Sequence, residues 1–250
     1  MADQEEWAYT WEGRGGPFSI LLAPDVFAPT YTSREVAEGL VIHPGETVID
    51  IGSGSGVLSF VAARLGAGRV YGSEINPRAV ELSSRSAARL GLDHIIDFRH
   101  GSLFEPLAGI RADVVIGDVS GVPDAIAAAS DWFPGGFSGG PTGAEVPVAM
   151  LEKAREHLAP GGRLYLPTGS IQDEGTVLRA AQRIFGERMR QLRARMLPLP
   201  SKISETAVVR RLMDSGVVRF IRRGSRLLWE LRIWECTLPP VEPLSGERGH

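Results

Sequence analysis

The sequence predicts an α/β fold, doubly wound around a mostly parallel sheet, and three observations carry that prediction. Apolar runs of strand length alternate with longer stretches of helical periodicity from residue 47 to about residue 186. The runs are continuously apolar rather than alternating, as strands covered on both faces must be. The first of them passes directly into "GSGSG" (52–56), a strand-to-helix turn of the kind at which open parallel sheets bind ligands.

In chain order, "TVIDI" (47–51) is a strand, followed by a helix from about 56 to 66. "RVYGS" (69–73) is the next strand, and the helix from about 77 to 91 starts on Asn76 as cap with Pro77 in its first turn and stops at Gly91. "IIDFR" (95–99) and "ADVVIG" (112–117) are strands; a helix from about 144 to 159 ends in "APGG" (159–162), which turns into the strand "GRLYLPT" (162–168) and then a helix from about 173 to 186. Beyond residue 187 the pattern changes. "MRQLRARMLPLP" reads as a strand, "SETAVVRRLMDSG" (204–216) as a capped helix, and "VVRFIRRGSRLLWELRIWEC" (217–236) as an antiparallel hairpin turning at Arg223-Gly224. Ahead of the first helix, "WEGRGGPFSILLAPDVFAPTYTS" (11–33) reads as a lid or a short hairpin, and the proline-containing stretch from Thr237 as loose.

Composition narrows the function classes. The 250 residues are 43% hydrophobic and 23% charged, an ordinary globular mix, with no apolar run near the roughly 18–20 residues a bilayer span needs. The N-terminus is acidic and lacks the apolar core of a secretory signal. A single cysteine, Cys236, forms no internal disulfide and suits a reducing cytoplasm, where it is expected to be a buried small apolar residue. His43, His94, His100, His157 and His250 show no metal-ligand spacing. The net charge of −3 hides a segregation: residues 1–178 carry 12 Lys/Arg against 23 Asp/Glu, and residues 179–232 carry 14 against 4. That basic segment either meets an acidic partner or faces the acidic N-terminal part and solvent.

The glycine turn and one carboxylate narrow the ligand. Glu74 ends the second strand 22 residues after Gly52, where a carboxylate accepts hydrogen bonds from both hydroxyls of a ribose. An adenosine compound fits. A dinucleotide fingerprint requires Gly-x-Gly-x-x-Gly, whereas the glycines here are Gly52, Gly54 and Gly56, and Val57 takes the sixth position. This tight alternation favours S-adenosyl-L-methionine, which carries no pyrophosphate.

With "VIDIGSGSG" (48–56) and "VYGSEINPRAV" (70–80), the chain resembles the class I S-adenosylmethionine-dependent methyltransferases over residues 27–187. "FAPTYTS" (27–33), "RHGSLFEPL" (99–107) and "GGPTGAEVPVAMLEKAREHLAPGGRLYLPTG" (139–169) make it most similar to the release-factor glutamine methyltransferase branch and its small-domain relatives. The resemblance implies a Rossmann-like, seven-stranded sheet with an antiparallel last strand supplied by the C-terminal hairpin. It implies an N-terminal lid over residues 1–33, a methyltransferase domain over 34–236 and a flexible tail over 237–250. It also implies a cofactor site: Asp50 for the methionine amino group and the loop, Gly52, Ser53, Gly54 and Gly56 against the methionine and ribose, Glu74 on the ribose, Ile75 and Leu103 beside adenine, and Ser102 on the adenine amino group, where many relatives have aspartate.

The same comparison marks a departure. The glutamine-methylating branch carries Asn-Pro-Pro-Tyr after its fourth strand, and here those positions are Asp118-Val119-Ser120-Gly121. The amide-orienting asparagine and the stacking tyrosine are gone, which argues against release-factor glutamine as acceptor. Asp118 is then the candidate for orienting an acceptor N or O atom beside the sulfonium and taking its proton, with Ser120 adding a hydrogen bond and Tyr31 closing over the site from the lid. Asp131-Trp132-Phe133 is a candidate aromatic wall, and Glu145 a helix-dipole partner. The expectation is a cytoplasmic methyltransferase acting on a small molecule. RNA or protein docking through 179–232, and a non-catalytic S-adenosylmethionine-binding regulator, are the alternatives.

Overall fold

In the computed structural model, which describes residues 5–130, 132 and 137–240, two strands precede the predicted α/β body. β1 (Trp7–Trp11) and β2 (Phe18–Leu22) form an antiparallel hairpin, with Trp7 opposite Leu22 and Trp11 opposite Phe18. After α1 (Tyr31–Gly39) come β3 (Thr47–Ile51), α2 (Val57–Arg64), β4 (Arg69–Glu74), α3 (Pro77–Arg89), β5 (Ile96–His100), β6 (Ala112–Ile116) and the short α4 (Asp124–Ala128). They are followed by α5 (Glu145–His157), β7 (Leu158–Gly169), α6 (Glu174–Phe185), β8 (Met189–Pro198), α7 (Ser201–Ser204), α8 (Ala207–Asp214), β9 (Ile221–Arg223) and β10 (Arg226–Thr237). The main sheet runs β5-β4-β3-β6-β7-β10-β8, with β9 paired to β10. β3, β4, β5, β6 and β7 are mutually parallel, and β10 is antiparallel to both of its neighbours β7 and β8.

The periodicity explains the layers. Along β3, Val48 points to one apolar layer, with Val36, Phe60 and Leu82, and Ile49 and Ile51 point to the other, with Met150, Leu151 and Val177. Helices α1–α3 therefore cover one face and α5–α6 the other, as a doubly wound sheet requires. The caps follow the sequence: Asn76 accepts from the backbone N–H of Arg78, Asp173 caps α6 and Thr206 caps α8. Glu145 opens α5 and accepts from the N–H groups of Thr142 and Ala144, consistent with a helix-start role. Cys236 is fully buried, and burial pushes its thiol up to about 12.

Three expectations are corrected. The segment 1–33 is not a lid as a whole: Trp11, Phe18, Ile20 and Leu22 are buried in the main core, and Glu6 pairs with Arg78 and Arg85 of α3. A hairpin with that much apolar surface is held as part of the body. The part that reaches the glycine turn follows β2, where Phe27 lies against Gly54 and Ser33 donates to Asp118. The sheet has eight strands rather than seven, because the arm Ile221–Arg223 pairs with β10. The segment from Thr237 is not loose where it is described, since Leu238 is buried and its N–H donates to the Gly162 carbonyl at 2.9 Å. Residues 241–250 lie outside the described residues.

A small lobe completes the molecule. Ile126, Ile171, Leu199, Ile203, Val209, Val218 and Leu227 form a separate apolar cluster on which Trp132 packs. Trp132 therefore has an anchoring role; its neighbours Asp131 and Phe133 lie outside the described residues. Among the described residues no helix is long and apolar enough to cross a membrane.

Candidate functional site

The site is built at the carboxyl ends of the parallel strands, where β3 hands the chain to α2. Gly52, Gly54 and Gly56 all have left-handed backbone, with φ of 66°, 53° and 80°. That conformation disfavours any residue with a Cβ. Gly56 has a second reason to be glycine, because a Cβ there would sit 2.6 Å from Cζ of Phe98. Gly56→Ala is accordingly expected to lower stability by about 1–3 kcal/mol through overpacking and backbone strain. Thermal unfolding would check this, at about 2–4 °C per kcal/mol for a chain of this size.

Three carboxylates converge on this turn. Glu74 accepts from the Gly54 N–H at 2.8 Å with one oxygen and from the Asn76 N–H at 2.8 Å with the other. Asp50, 1% exposed, accepts from the Ser59 hydroxyl at 2.7 Å. Burial pushes the Asp50 carboxyl up to about 7, against the Ser59 hydrogen bond and with help from the charges of Asp118 and Glu74. Asp118, just past β6, accepts from the Ser33 hydroxyl at 3.3 Å, and burial raises its carboxyl to about 6. A turn framed by acidic side chains is electrostatically suited to a cation and opposed to a pyrophosphate.

The side formed by Ile75, Ser102 and Leu103, expected from the sequence to face adenine, is less enclosed. Ile75 is 44% exposed, and the His100 ring nitrogen Nε2 lies 3.0 Å from its carbonyl. Ser102 and Leu103 line a groove of about 650 Å³ that continues along α5 past Lys153 and His157. Leu103 is the one non-glycine residue with positive φ (47°) among those described. Such backbone strain concentrates at functional sites.

Unpartnered polar atoms mark the same region. Six buried side-chain polar atoms have no hydrogen-bond partner among the described residues: Asp25 Oδ1, Ser53 Oγ, Ser73 Oγ, Ser120 Oγ, Gln172 Nε2 and Arg163 Nε. The first five lie on the glycine turn, on the end of β4, or on segments reaching that end of the sheet. Buried polar groups are normally satisfied, so this concentration fits a site that hydrogen-bonds a ligand.

The structure brings together most of the expected site and changes its lid side. Asp50, Gly52, Ser53, Gly54, Gly56, Glu74, Asp118 and Ser120 all sit at this end of the sheet; the Gly52 turn faces Val119, with an added Cβ 3.5 Å from Val119 Cγ1. Tyr31, expected over the acceptor, begins α1 with half its surface exposed, and the helix turns Ser33 to Asp118 instead. Phe27 lies against Gly54, and the Asn76 side chain donates to the Asp25 carbonyl at 2.7 Å, which fixes the segment over the turn. Gln172 is new: it is buried and lies against Gly121. Ser33 ends the stretch "FAPTYTS" and shares a capping box with Thr30, but only the tertiary fold brings it to Asp118 and Gln172 to Gly121.

The comparisons with known proteins agree with this geometry. The sequence model of the family described as "Methyltransferase domain" matches residues 42–206. A ribosomal protein L11 methyltransferase of Pelotomaculum thermopropionicum is 40% identical over 145 residues, 58% of this chain and 39% of that protein. A release factor glutamine methyltransferase of Moorella thermoacetica is 29% identical over 181 residues, 66% of this chain and 61% of that protein. Among solved structures, a Thermus thermophilus 16S rRNA N2 G1207 methyltransferase in complex with AdoMet and guanosine has a TM-score of 0.61 at 17% identity, over 93% of this chain and 50% of that one. The chain thus spans less than two thirds of each of these proteins. The release-factor resemblance read from the sequence has its counterpart here, and the L11 relatives extend it. Taken together, the strand order, the glycine turn and the matched segment show that the chain belongs to the methyltransferase-domain family with the class I α/β fold.

Proposed function

We propose that the chain is an S-adenosyl-L-methionine-dependent methyltransferase whose acceptor is part of a macromolecule. The observation that carries the cofactor is the set of Asp50, Glu74 and Asp118 around the Gly52–Gly56 turn: anionic side chains on bare backbone suit a ligand bearing a sulfonium and an ammonium group. Bound there, the cofactor supplies an electrophilic methyl group. Glu74 holds the ribose, Asp50 the amino end, and the exposed Ile75 with Leu103 flanks the base. Ser102 is left with the adenine amino group, its own N–H resting 3.4 Å from Glu105. Asp118 and Ser120 orient the acceptor atom, and Asp118, with its carboxyl near 6, is mostly ionised at neutral pH and able to take a proton. In-line transfer then depends on positioning and on exclusion of water.

The small-molecule acceptor expected from the sequence is set aside. It drew on the overall acidic charge, on the lack of an appended nucleic-acid module and on an N-terminal segment long enough to lid a pocket, and the last of these grounds weakens with the hairpin docked into the core. The curated relatives, moreover, carry the names of protein acceptors. A cytoplasmic site of action belongs to the same reading. Incubation of cell extract with methyl-labelled cofactor tests it: label is expected in the retained macromolecular fraction, and label confined to the low-molecular-mass filtrate would overturn it.

Asp50 gives this reading a pH signature. Its folded pKa lies above the ordinary aspartate value of 3.8. The folded state therefore holds that proton more tightly than the unfolded chain, and the group's contribution to stability is fullest below pH 4 and declines as the pH rises to about 7. A cationic ligand favours the ionised form. Affinity for S-adenosyl-L-methionine is expected to rise between about pH 6 and pH 8 with release of a proton, and Asp50→Asn to abolish the release. Calorimetry in buffers of different ionisation enthalpy measures both.

A further inference from the structure

Many arginines of the basic segment are held by the body of the protein: Arg190 pairs with Glu235, Arg193 and Arg195 with Glu35, and Arg219 and Arg232 with the buried Glu174, while Arg179 donates to Thr176. Arg183 and Arg188 are exposed without an ion pair among the described residues, and they stand apart from the lobe. On the lobe, Arg210 and Arg211 of α8 and Arg222, Arg223 and Arg226 of the β9–β10 hairpin are all exposed, and none has a side-chain hydrogen bond or ion pair among the described residues. Arg223 stands directly opposite Arg226 across the hairpin, an arrangement of like charges that is unfavourable in isolation. Arg210 and Arg222, with Glu205 and Asp214, line one cleft of about 490 Å³ between α8 and the hairpin, while Arg211, Arg223 and Arg226 are not among its lining residues.

The register shows where this patch lies. Leu231 of β10 pairs with Gly169, the last residue of β7, so Arg226 to Glu230 extend past the carboxyl end of the parallel strands. The patch is thus on the same end of the sheet as Asp118. Arg219 links the two: its N–H donates to the Ser170 carbonyl at 2.7 Å, and Gln172, two residues on, lies against Gly121.

We infer that this lobe is a docking surface for RNA, whose phosphates the five unpaired guanidinium groups engage while a nucleotide is presented to Asp118. The inference rests on the macromolecular reading above and specifies its substrate class. RNA is favoured over an acidic protein because every unpaired cation of the patch is an arginine, whose planar fork matches phosphate oxygens, and because like charges facing each other across a hairpin are relieved by a polyanion lying along them.

Fluorescence anisotropy with labelled total bacterial tRNA, and with a poly-glutamate peptide, tests the surface on the full chain. Binding of tRNA is expected to weaken with salt with a log–log slope of about −3.5 to −4.5 for five phosphate contacts. Arg222→Glu/Arg223→Glu/Arg226→Glu is expected to lower tRNA affinity at least about tenfold and to flatten the slope by about 2 to 3. Arg210→Gln/Arg211→Gln is expected to do the same to a smaller degree. Binding of S-adenosylhomocysteine, measured in parallel, should be unchanged in both variants, which shows that they are folded. No tRNA binding at about 50 mM salt, binding indifferent to both sets of substitutions, or poly-glutamate bound as tightly as tRNA would overturn the inference. Native protein that binds tRNA through these arginines without binding S-adenosylhomocysteine would sustain the surface and sink the cofactor reading instead.

Discussion

Asp118→Asn is expected to reduce methyl transfer by about 10²–10⁴-fold, the range over which a positioned general base contributes, with S-adenosylhomocysteine affinity changed by less than about threefold. The substitution is nearly isosteric, so the Ser33 hydroxyl keeps a partner and the loop keeps its path. What is lost is the capacity to accept a proton. The pH profile supplies a second readout. At saturating cofactor the rate of the native protein should fall below about pH 6, where burial has placed the Asp118 carboxyl, and the asparagine variant should lack that acidic limb. Equal losses in turnover and in cofactor affinity would assign Asp118 to the cofactor pocket or to the fold.

Glu74→Ala is expected to weaken binding of S-adenosyl-L-methionine by about 1–3 kcal/mol, the worth of hydrogen bonds to a charged group. The effect has two parts. The ribose loses its acceptor, and the N–H groups of Gly54 and Asn76 lose theirs, so the glycine turn itself loosens. Glu74→Gln separates these parts, because its single amide oxygen accepts one backbone hydrogen bond and its NH₂ accepts none. An intermediate affinity is expected, and calorimetry on the two variants gives the comparison. Undiminished affinity in Glu74→Ala would move the ribose elsewhere.

Much of this was legible in the sequence because it is local. The strand "TVIDI" was read with the bounds it has, and the strand carrying Glu74 ends within one residue of where the pattern put it. Apolar run, glycine turn and helix cap are each encoded within a few positions. The Asp118 segment was legible as a departure from a known motif rather than as a pattern of its own. The short α4 has no local signal, since five residues, three of them alanine, carry no periodicity. The hairpin β1–β2 was visible as an irregular segment, but its docking onto α3 depends on Glu6 meeting Arg78 and Arg85 more than 70 positions away. The contacts of Ser33 and Gln172 are tertiary for the same reason: a serine in the first turn of a helix and a glutamine after a strand have many roles, and only the packed sheet end selects one. The basic segment could be counted but not divided, because ion pairing with Glu35 and Glu174 is a tertiary fact.

The placement of β10 has a practical corollary. Its first five residues serve the lobe, while the remaining seven lie antiparallel between β7 and β8 and satisfy the backbone of both. Trimming the chain ahead of this strand would bare two raw hydrogen-bonding edges at once, an invitation to intermolecular pairing and aggregation. The basic lobe therefore cannot be shed by proteolysis and leave a soluble catalytic remnant. Any loss of RNA binding has to be engineered at the surface, one side chain at a time.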